Sequence, residues 1–313
     1  MFDNRLRIES EYFVRRISDL IYNRPLPNST GLPSVPENVM DMENRGIELS
    51  LGFDIFNTEN FSWTVDVNAT SYKNEITQLA PGREFIDSGI YRYTKGGSAF
   101  DFYTYKYAGI SETTGHAIWE TTNEFEADGT TPTNGTTENR ARATETEIGK
   151  SALPDVYGGL STTLTYKGWD LNVALSYQFG GYAFDNIYND GFSGAVGDNF
   201  HKDYWKTWRA DNTTGTLPRV FDGTTSYNTS DLFIESSDYI SLNDIAIGYT
   251  LPSDVISRIG LNSVRIYGVA NNVALWTASD IQGFDPRAST TGNTSAVRYA
   301  PLKTYTLGLT INF

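Results

Sequence analysis

The sequence predicts an all-β chain, a portion of an antiparallel transmembrane β-barrel built from about eight meandering strands. Three observations carry that reading. The residues 301–313, P-L-K-T-Y-T-L-G-L-T-I-N-F, place Tyr305, Leu307, Leu309, Ile311 and Phe313 on one face and Thr304, Thr306, Gly308, Thr310 and Asn312 on the other. Such a strand of about 12 residues covers about 40 Å, enough when tilted by about 45° to cross the apolar band of an outer membrane. Second, the alternating segments lie near 5–15, 45–56, 61–72, 157–166, 169–180, 239–250, 264–276 and 302–313, so their links alternate long and short. Transmembrane barrels have long external loops and short periplasmic turns, a parity that a soluble sandwich has no reason to keep. Third, aromatic residues are abundant, with 20 Tyr, 17 Phe and 6 Trp, as girdles at two membrane interfaces require.

The elements follow in order. Leu6, Ile8 and Tyr12 to Val14 make a first, imperfect strand. The tract D-L-I-Y-N-R-P-L-P-N-S-T-G-L-P-S-V-P holds four prolines and a glycine and is expected to be a long loop. Ile47, Leu49, Leu51, Phe53 and Ile55 then alternate with Glu48, Ser50, Gly52 and Asp54. After the turn at Asn57 to Asn60, Phe61, Trp63, Val65 and Val67 answer them, so the two segments form a hairpin. Residues 73–153 and 181–238 are expected to be long extracellular loops. Within the first, the polar, Thr-rich tract from Glu120 to Arg140 reads as exposed and mobile.

A second hairpin pairs Leu160, Thr162, Leu164 and Tyr166 with Trp169, Leu171, Val173, Leu175, Tyr177 and Phe179 across Lys167 and Gly168. No charge falls on that apolar face, where Lys or Arg against lipid costs roughly 2 to 4 kcal/mol at the midplane. Leu171, Val173, Leu175, Leu307, Leu309 and Ile311 are therefore expected to face outward, opposite Asp170, Asn172, Ser176, Thr306 and Thr310. The segment with Ile240 and Leu242 shifts phase at Ile245, Ile247 and Tyr249, which predicts a bulge near Asn243 and Asp244. Val264 to Trp276 returns the chain with an ambiguous phase.

Composition excludes several functions. A formal charge of -14 argues against a nucleic-acid partner. The absence of cysteine removes disulfides, thiolate nucleophiles and Cys-based metal sites. Only two histidines occur, His116 and His201, far apart in loops, so no metal site is expected. Glu48, Asp54 and Asp66 share the polar face of one hairpin and read as solvated lumen wall rather than as a hydrolytic pair. No enzyme and no cofactor are expected. Candidate ligand contacts are the loop aromatics Trp119, Tyr188, Tyr204, Trp205 and Trp208, whose flat faces suit sugar rings but equally suit packing of the loops.

Several segments together resemble the SusC/RagA-type TonB-dependent transporters. They are D-L-I-Y-N-R-P-L-P-N-S-T-G (19–31), N-R-G-I-E-L-S-L (44–51), Y-K-Y-A-G-I-S-E-T-T-G-H-A-I-W (105–119), L-P-D-V-Y-G-G-L-S-T-T-L-T-Y-K-G-W-D-L (153–171), S-Y-Q-F-G-G (176–181), D-Y-I-S-L-N-D-I-A-I-G-Y-T-L-P (238–252), G-F-D-P-R (283–287) and T-Y-T-L-G-L-T-I-N-F (304–313). The resemblance implies a 22-stranded barrel with a plug and a TonB box, of which residues 1–313 match the C-terminal part, the plug being absent. It implies an outer-membrane location and uptake of oligosaccharides or peptides delivered by a SusD-like surface lipoprotein. The TonB complex would act only through the missing N-terminal part. Met1 is followed by no basic or apolar export region, which fits the expectation of a fragment. Tyr305, Leu307, Leu309, Ile311 and Phe313 match the C-terminal signal read by the barrel assembly machinery, with lipid as the other partner. The alternative is a non-transporting surface or adhesion β-protein. Eight strands are too few for the whole lumen, so an open sheet is expected, with its first and last strands unpaired.

Overall fold

The computed structural model describes residues 5–125, 132–192, 197, 199–220, 229–256, 260–277, 284–289, 291–293 and 300–313. Three long strands open the chain: β1 (Leu6–Pro25), β2 (Ser34–Asn57) and β3 (Phe61–Gln78). Seven short ones follow, β4 (Phe85–Ser88), β5 (Tyr91–Thr94), β6 (Asp101–Tyr105), β7 (Tyr107–Ile110), β8 (Ala117–Phe125), β9 (Pro132–Thr137) and β10 (Glu145–Ser151). The long hairpin β11 (Val156–Tyr166) and β12 (Trp169–Phe179) comes next, then β13 (Tyr182–Phe184), helix α1 (Asn186–Asp190) and β14 (Ile234–Ser236). The chain closes with β15 (Tyr239–Thr250), helix α2 (Ser253–Ile256), β16 (Ser263–Thr277) and β17 (Thr304–Asn312).

One eight-stranded antiparallel sheet, in the order β1-β2-β3-β11-β12-β15-β16-β17, contains every long strand expected from alternation. Its two edges are β1 and β17, and no ladder joins them among the described residues. The register makes the two faces explicit. One cross-strand row runs Leu6, Phe53, Val65, Thr162, Val173, Ile245, Ala270, Tyr305. The adjacent row runs Arg7, Gly52, Asp66, Ser161, Ala174, Asp244, Asn271, Thr304. Leu171 pairs with Ile247 and Asn172 with Ala246, so apolar and polar side chains separate onto opposite faces as alternation predicts.

The apolar stripe drifts as it crosses the sheet. On β1 it ends at Val14 before the outward Arg16, yet on β17 Tyr305 lies in the row of Leu6, eight residues back. A drift of about 8 residues over seven strand steps corresponds to a strand tilt of roughly 40°, within the range of transmembrane barrels.

Glycines on the polar face let a large side chain lie across a strand. The Tyr267 ring covers Gly308, and the Arg265 guanidinium covers Gly248 on its way to Asp170, with Nε 3.1 Å from Oδ1. A Cβ on Gly308 would come within 2.6 Å of Tyr267 Cε1. The bulge expected near Asn243 is present: Ala174 pairs with Asp244 and Leu175 with Leu242, leaving Asn243 as the extra residue. On the other side, Leu242 pairs with Ala274 and Asp244 with Asn271, with Asn272 at φ 52, which accounts for the ambiguous phase of β16.

Two expectations are corrected. The proline-rich tract is not a long loop, because β1 runs to Pro25, β2 starts at Ser34, and Asn23 pairs with Pro36. Pairing of β2 with β3 begins only at Asp41, so Pro36 sits on a strand with a free side, where a missing N–H costs no ladder bond. Within residues 73–153, β3 continues to Gln78, and β4 to β10 build a four-stranded and a three-stranded sheet apart from the eight-stranded one. Strands of 4 to 7 residues, such as β4, β5, β6 and β10, are too short for a visible period. The Thr-rich tract is in part the β8–β9 hairpin, while its residues 126–131, like Gly283 of the G-F-D-P-R segment, lie outside the described residues.

The buried core belongs to the loops. Ile90, Phe102, Phe184, Tyr188, Phe192 and Phe233 form one cluster, and Met40, Ile76, Leu79 and Ile86 another where the first three strands rise into the loops. The segment after β16 is tied down by Arg287, which donates from Nε to Asp285 Oδ1 at 2.9 Å and from Nη1 to Ser241 Oγ at 2.9 Å. Burial alone would raise the Asp285 carboxyl, but the hydrogen bonds from the Arg287 side chain and backbone outweigh it and hold it below the usual carboxylate range.

Gly308→Val should destabilise the protein by about 1 to 3 kcal/mol through overpacking against Tyr267, lowering the temperature at which the folded gel band is lost. Thr306→Val, on the same face without a covering ring, should leave that temperature nearly unchanged. Because the folded Asp285 pKa is depressed, its contribution is complete above about pH 4 and is lost as the pH falls through the folded value. The hydrogen-exchange protection factors of residues 284–289 should fall on acidification in the wild type, whereas Asp285→Asn should show low protection already at neutral pH.

Candidate ligand groove on the polar face of the sheet

Where the polar face meets the loops, three rings from three strands line up. Phe13 on β1 reaches across Gly46, where an added Cβ would lie 2.9 Å from Phe13 Cζ. Its centroid is 6.3 Å from that of Tyr72 on β3, and Tyr72 is 6.3 Å from Tyr157 on β11 at 82°. All three belong to the face that carries Glu48, Asp54 and Asp66, as the register requires.

Cavities flank these rings on both sides. One of about 480 Å³ lies toward the β1 edge and is bordered by Glu11, Arg15, Asn44 and Glu48. Another of about 250 Å³ lies under the loops, bordered by Pro154, Gln178, Tyr182, Ser237 and Ser289. Both share Tyr72 and Tyr157, so the rings form a common wall. Gln178 donates to Ser237 Oγ at 2.9 Å, which fixes one side of the inner cavity. Glu11 faces Glu48 directly across the β1–β2 ladder. The arrangement offers flat apolar faces beside carboxylates, an amide and hydroxyls, a surface suited to a polar, partly apolar chain molecule.

The polar face below this groove is an ion-paired wall. Arg7 Nη1 lies 3.0 Å from Asp54 and Nη2 3.4 Å from Asp66, and the Thr64 hydroxyl donates to Asp54 at 3.2 Å. Glu48 is six residues from Asp54 along β2, about 20 Å away, too far for a hydrolytic pair, and Asp54 and Asp66 are both engaged by Arg7. His201 Nδ1 accepts from the Asp203 N–H at 3.2 Å, and His116 lies 3.6 Å from Glu138. Among the described residues, no three His, Cys, Asp or Glu side chains could hold a metal ion.

The five loop aromatics fall into two groups. Trp119 is 2% exposed, packed edge-on against Tyr105 and Tyr107. Tyr188 is buried among Phe192, Phe233 and His201, and its hydroxyl donates to Asp203 at 3.1 Å. Burial pushes that hydroxyl up, with the Asp203 charge adding to the effect. Asp203 itself is pushed up by burial, but hydrogen bonds from Lys206 and Tyr188 prevail and hold it low. The Trp208 ring lies on Gly115, with Nε1 buried and without an acceptor. These three join loops to one another. Tyr204 is half-buried between Phe200 and Trp205, while Trp205 is 72% exposed with the Arg209 guanidinium 5.2 Å from its ring. None of the five lines the groove.

Sequence reasoning did not single out Phe13, Tyr72, Tyr157 or Tyr182. The available signal was phase: Tyr72 and Tyr157 fall on the polar side of strands whose other aromatics are on the apolar side.

On the opposite face, aromatics gather at the short-turn end. Phe56 stacks on Trp63 at 6.2 Å, Phe61 meets Tyr166 at 6.4 Å, and Trp169 meets Tyr249 at 4.6 Å. Leu307, Leu309 and Ile311 on β17 are 82%, 59% and 40% exposed, and Phe313 is 87% exposed.

No protein-family model matches the chain. It is 27% identical over 334 residues to TonB-dependent receptor P3 of Formosa agariphila, covering 100% of this chain and 33% of that protein. It is 23% identical to TonB-dependent receptor SusC of Bacteroides thetaiotaomicron, covering 96% of this chain and 29% of SusC. Among solved structures, the RagAB peptide transporter superposes with a TM-score of 0.85 at 27% identity, over 100% of this chain and 34% of that one. The RagAB peptide importer in its open-open state gives a TM-score of 0.81 at 26% identity, over 100% of this chain and 33% of that one. The chain thus spans about a third of the length of the relatives it matches. On sequence and fold together, the chain is similar over its whole length to a barrel portion of the SusC/RagA-type TonB-dependent receptors, which reside in the outer membrane.

Proposed function

We propose that this chain forms the C-terminal part of the barrel of a TonB-dependent nutrient transporter, with residues 73–153 and 181–238 as extracellular loops. The observation that carries the reading is the unbroken apolar exterior. From Trp169 to Phe179, and from Tyr305 to Phe313, no outward residue is charged, while the reverse face holds Arg7, Asp54, Asp66, Asp170 and Arg265. Ten residues of strand at about 40° tilt span about 25 Å of height, the thickness of an outer-membrane apolar band. A soluble protein has no reason to leave Leu307 82% exposed in the middle of a regular strand.

The cargo is an oligomer of polar units, an oligosaccharide or a peptide. The groove of Phe13, Tyr72 and Tyr157 supports this because aromatic faces beside amide, hydroxyl and carboxylate groups suit both sugar rings and peptide side chains. The RagAB relatives are peptide importers by name, which weighs toward peptides. A SusD-like lipoprotein would deliver the cargo at the loop side, where Trp205 offers exposed aromatic surface. TonB would act through other parts of the receptor, and the barrel assembly machinery would read Tyr305, Leu307, Leu309, Ile311 and Phe313.

In cells carrying the whole receptor, Tyr157→Ala should weaken uptake of its cargo by about tenfold at limiting concentration, equivalent to about 1.4 kcal/mol of lost contact, without altering receptor abundance. Uptake of labelled peptide and oligosaccharide mixtures measures this; unchanged uptake of both would remove the groove from the pathway. Deleting Phe313 should cut the amount of heat-modifiable receptor in the membrane severalfold, since a terminal residue that is 87% exposed contributes little to folding. Normal levels of inserted receptor would refute the assembly role.

A further inference from the structure

The apolar exterior of the first three strands ends abruptly. On β2, Ile47, Leu49, Leu51 and Phe53 share a face with Arg45 and Glu43 two and four residues further up. On β1 the same face passes from Val14 to Arg16, and on β3 from Val67 and Ala69 through Ser71 to Lys73 and Glu75. The ladders keep these residues in step: Val14 pairs with Arg45 and Arg45 with Lys73, and Arg16 pairs with Glu43 and Glu43 with Glu75.

The upper of the two charged rows is satisfied by its own Arg16 and by Arg45 from the row below. Glu43 and Glu75 are directly opposed, and Arg45 Nη2 bridges them at 2.9 and 3.0 Å, while Arg16 Nε meets Glu43 at 2.8 Å. Glu43 is thereby almost covered, its side chain 12% exposed against 82% for Arg16 and 48% for Arg45. In the lower row Arg45 is taken up by these two carboxylates, and Lys73 is left over. Arg45 and Lys73 are two cations directly opposed on neighbouring strands, an arrangement that is unfavourable unless an anion lies between them. Lys73 is exposed and makes no ion pair or side-chain hydrogen bond among the described residues. These two rows hold three cations, Arg16, Arg45 and Lys73, against the carboxylates of Glu43 and Glu75, with Asp41 two residues further up β2.

Depth decides which anion fits. Arg45 lies two residues above Ile47, about 5 Å higher at the strand tilt, within the headgroup layer that adds about 5 to 7 Å to each side of the hydrocarbon. We propose that Arg45 and Lys73 bind the phosphate of a lipid headgroup in the leaflet on the loop side, its acyl chains lying on Ile47, Leu49 and Leu51. Arg16 extends the cationic surface toward the same headgroup. The site rests on the membrane reading given above, and charge complementarity and continuity with the apolar stripe both point to lipid rather than to a soluble anion.

Native mass spectrometry of the receptor extracted in mild detergent tests this, with dioleoyl phosphatidic acid titrated against dioleoyl phosphatidylcholine. The wild type should retain phosphatidic acid in preference. Lys73→Gln, which removes no ion pair, should weaken that preference by about fivefold, and Arg45→Gln with Lys73→Gln by more. Lys202→Gln, an exposed loop cation, should leave it unchanged. Equal retention of the two lipids by a heat-modifiable, membrane-inserted wild type would overturn the lipid site alone. A protein that is neither inserted nor heat-modifiable would overturn the membrane reading and this site with it. A stable adduct of inorganic phosphate added by itself would assign the cations to a free anion and equally refute the proposal.

Discussion

A single sheet whose alternating side chains meet two different surroundings is the constraint on which the rest of the structure depends, and along β2 and β3 those surroundings exchange. In the lower part, Ile47, Leu49, Leu51 and Phe53 occupy one face and Glu48, Ser50 and Asp54 the other. Higher up, the first face carries Arg45, Glu43 and Glu75, while Met42 and Ile76 turn the opposite way into a core with Met40, Leu79 and Ile86. Alternation persists through the exchange, since Val14 to Ile17 pair with Arg45 to Met42 without a slip. What changes is the medium: lipid outside and an open lumen inside below, water outside and packed loops inside above. A strand can serve both halves only if its polarity reverses at the boundary, because an outward charge in lipid or an inward one in a dry core would each cost several kcal/mol.

The sheet has little core of its own, so cross-strand contacts hold its strands in register. On the polar face these are long side chains laid across glycines, Arg7 over Gly52 toward Asp66 and Arg265 over Gly248 toward Asp170. On the apolar face Tyr177 crosses Gly158, and its hydroxyl donates to the Asn68 carbonyl at 2.8 Å. Each device links more than two strands, and each fails if the glycine gains a side chain. Surface ion pairs of this kind contribute little singly, about 0 to 1 kcal/mol, but a wall of them keeps the lumen face wetted and specific.

Conventional burial is delegated to the loops, where Phe102, Phe184 and Phe233 are almost wholly covered. That core positions the groove. Tyr182 and Ser237 come down onto Tyr72, Tyr157 and Gln178 because β13 and β14 pair with each other and Arg287 anchors the segment after β16 to Ser241. Most of the tryptophan and tyrosine in the loops is spent on this packing, which leaves Trp205 as an exposed ring beside Arg209.

Alternation by itself determined the eight strands, their order, their two faces and the bulge at Asn243, because a period of two is a local property that a lipid-facing strand must display without interruption. That β1 and β17 stay unjoined among the described residues was an expectation drawn from the resemblance to a 22-stranded barrel, since eight strands by themselves could close into a small one. The heights to which β1, β2 and β3 rise were not legible, since above Arg45 the polarity reverses and prolines enter a segment where β2 has a free side. Nor was the groove, because Phe13, Tyr72 and Tyr157 are 59 to 144 residues apart or in different hairpins and meet only through the register of three strands. The loop aromatics were visible as residues, but whether a ring packs inward, as Trp119 does, or stands in solvent, as Trp205 does, is decided by which distant segments reach it. That is a property of the tertiary structure, where contacts between remote parts of the chain outweigh any local preference.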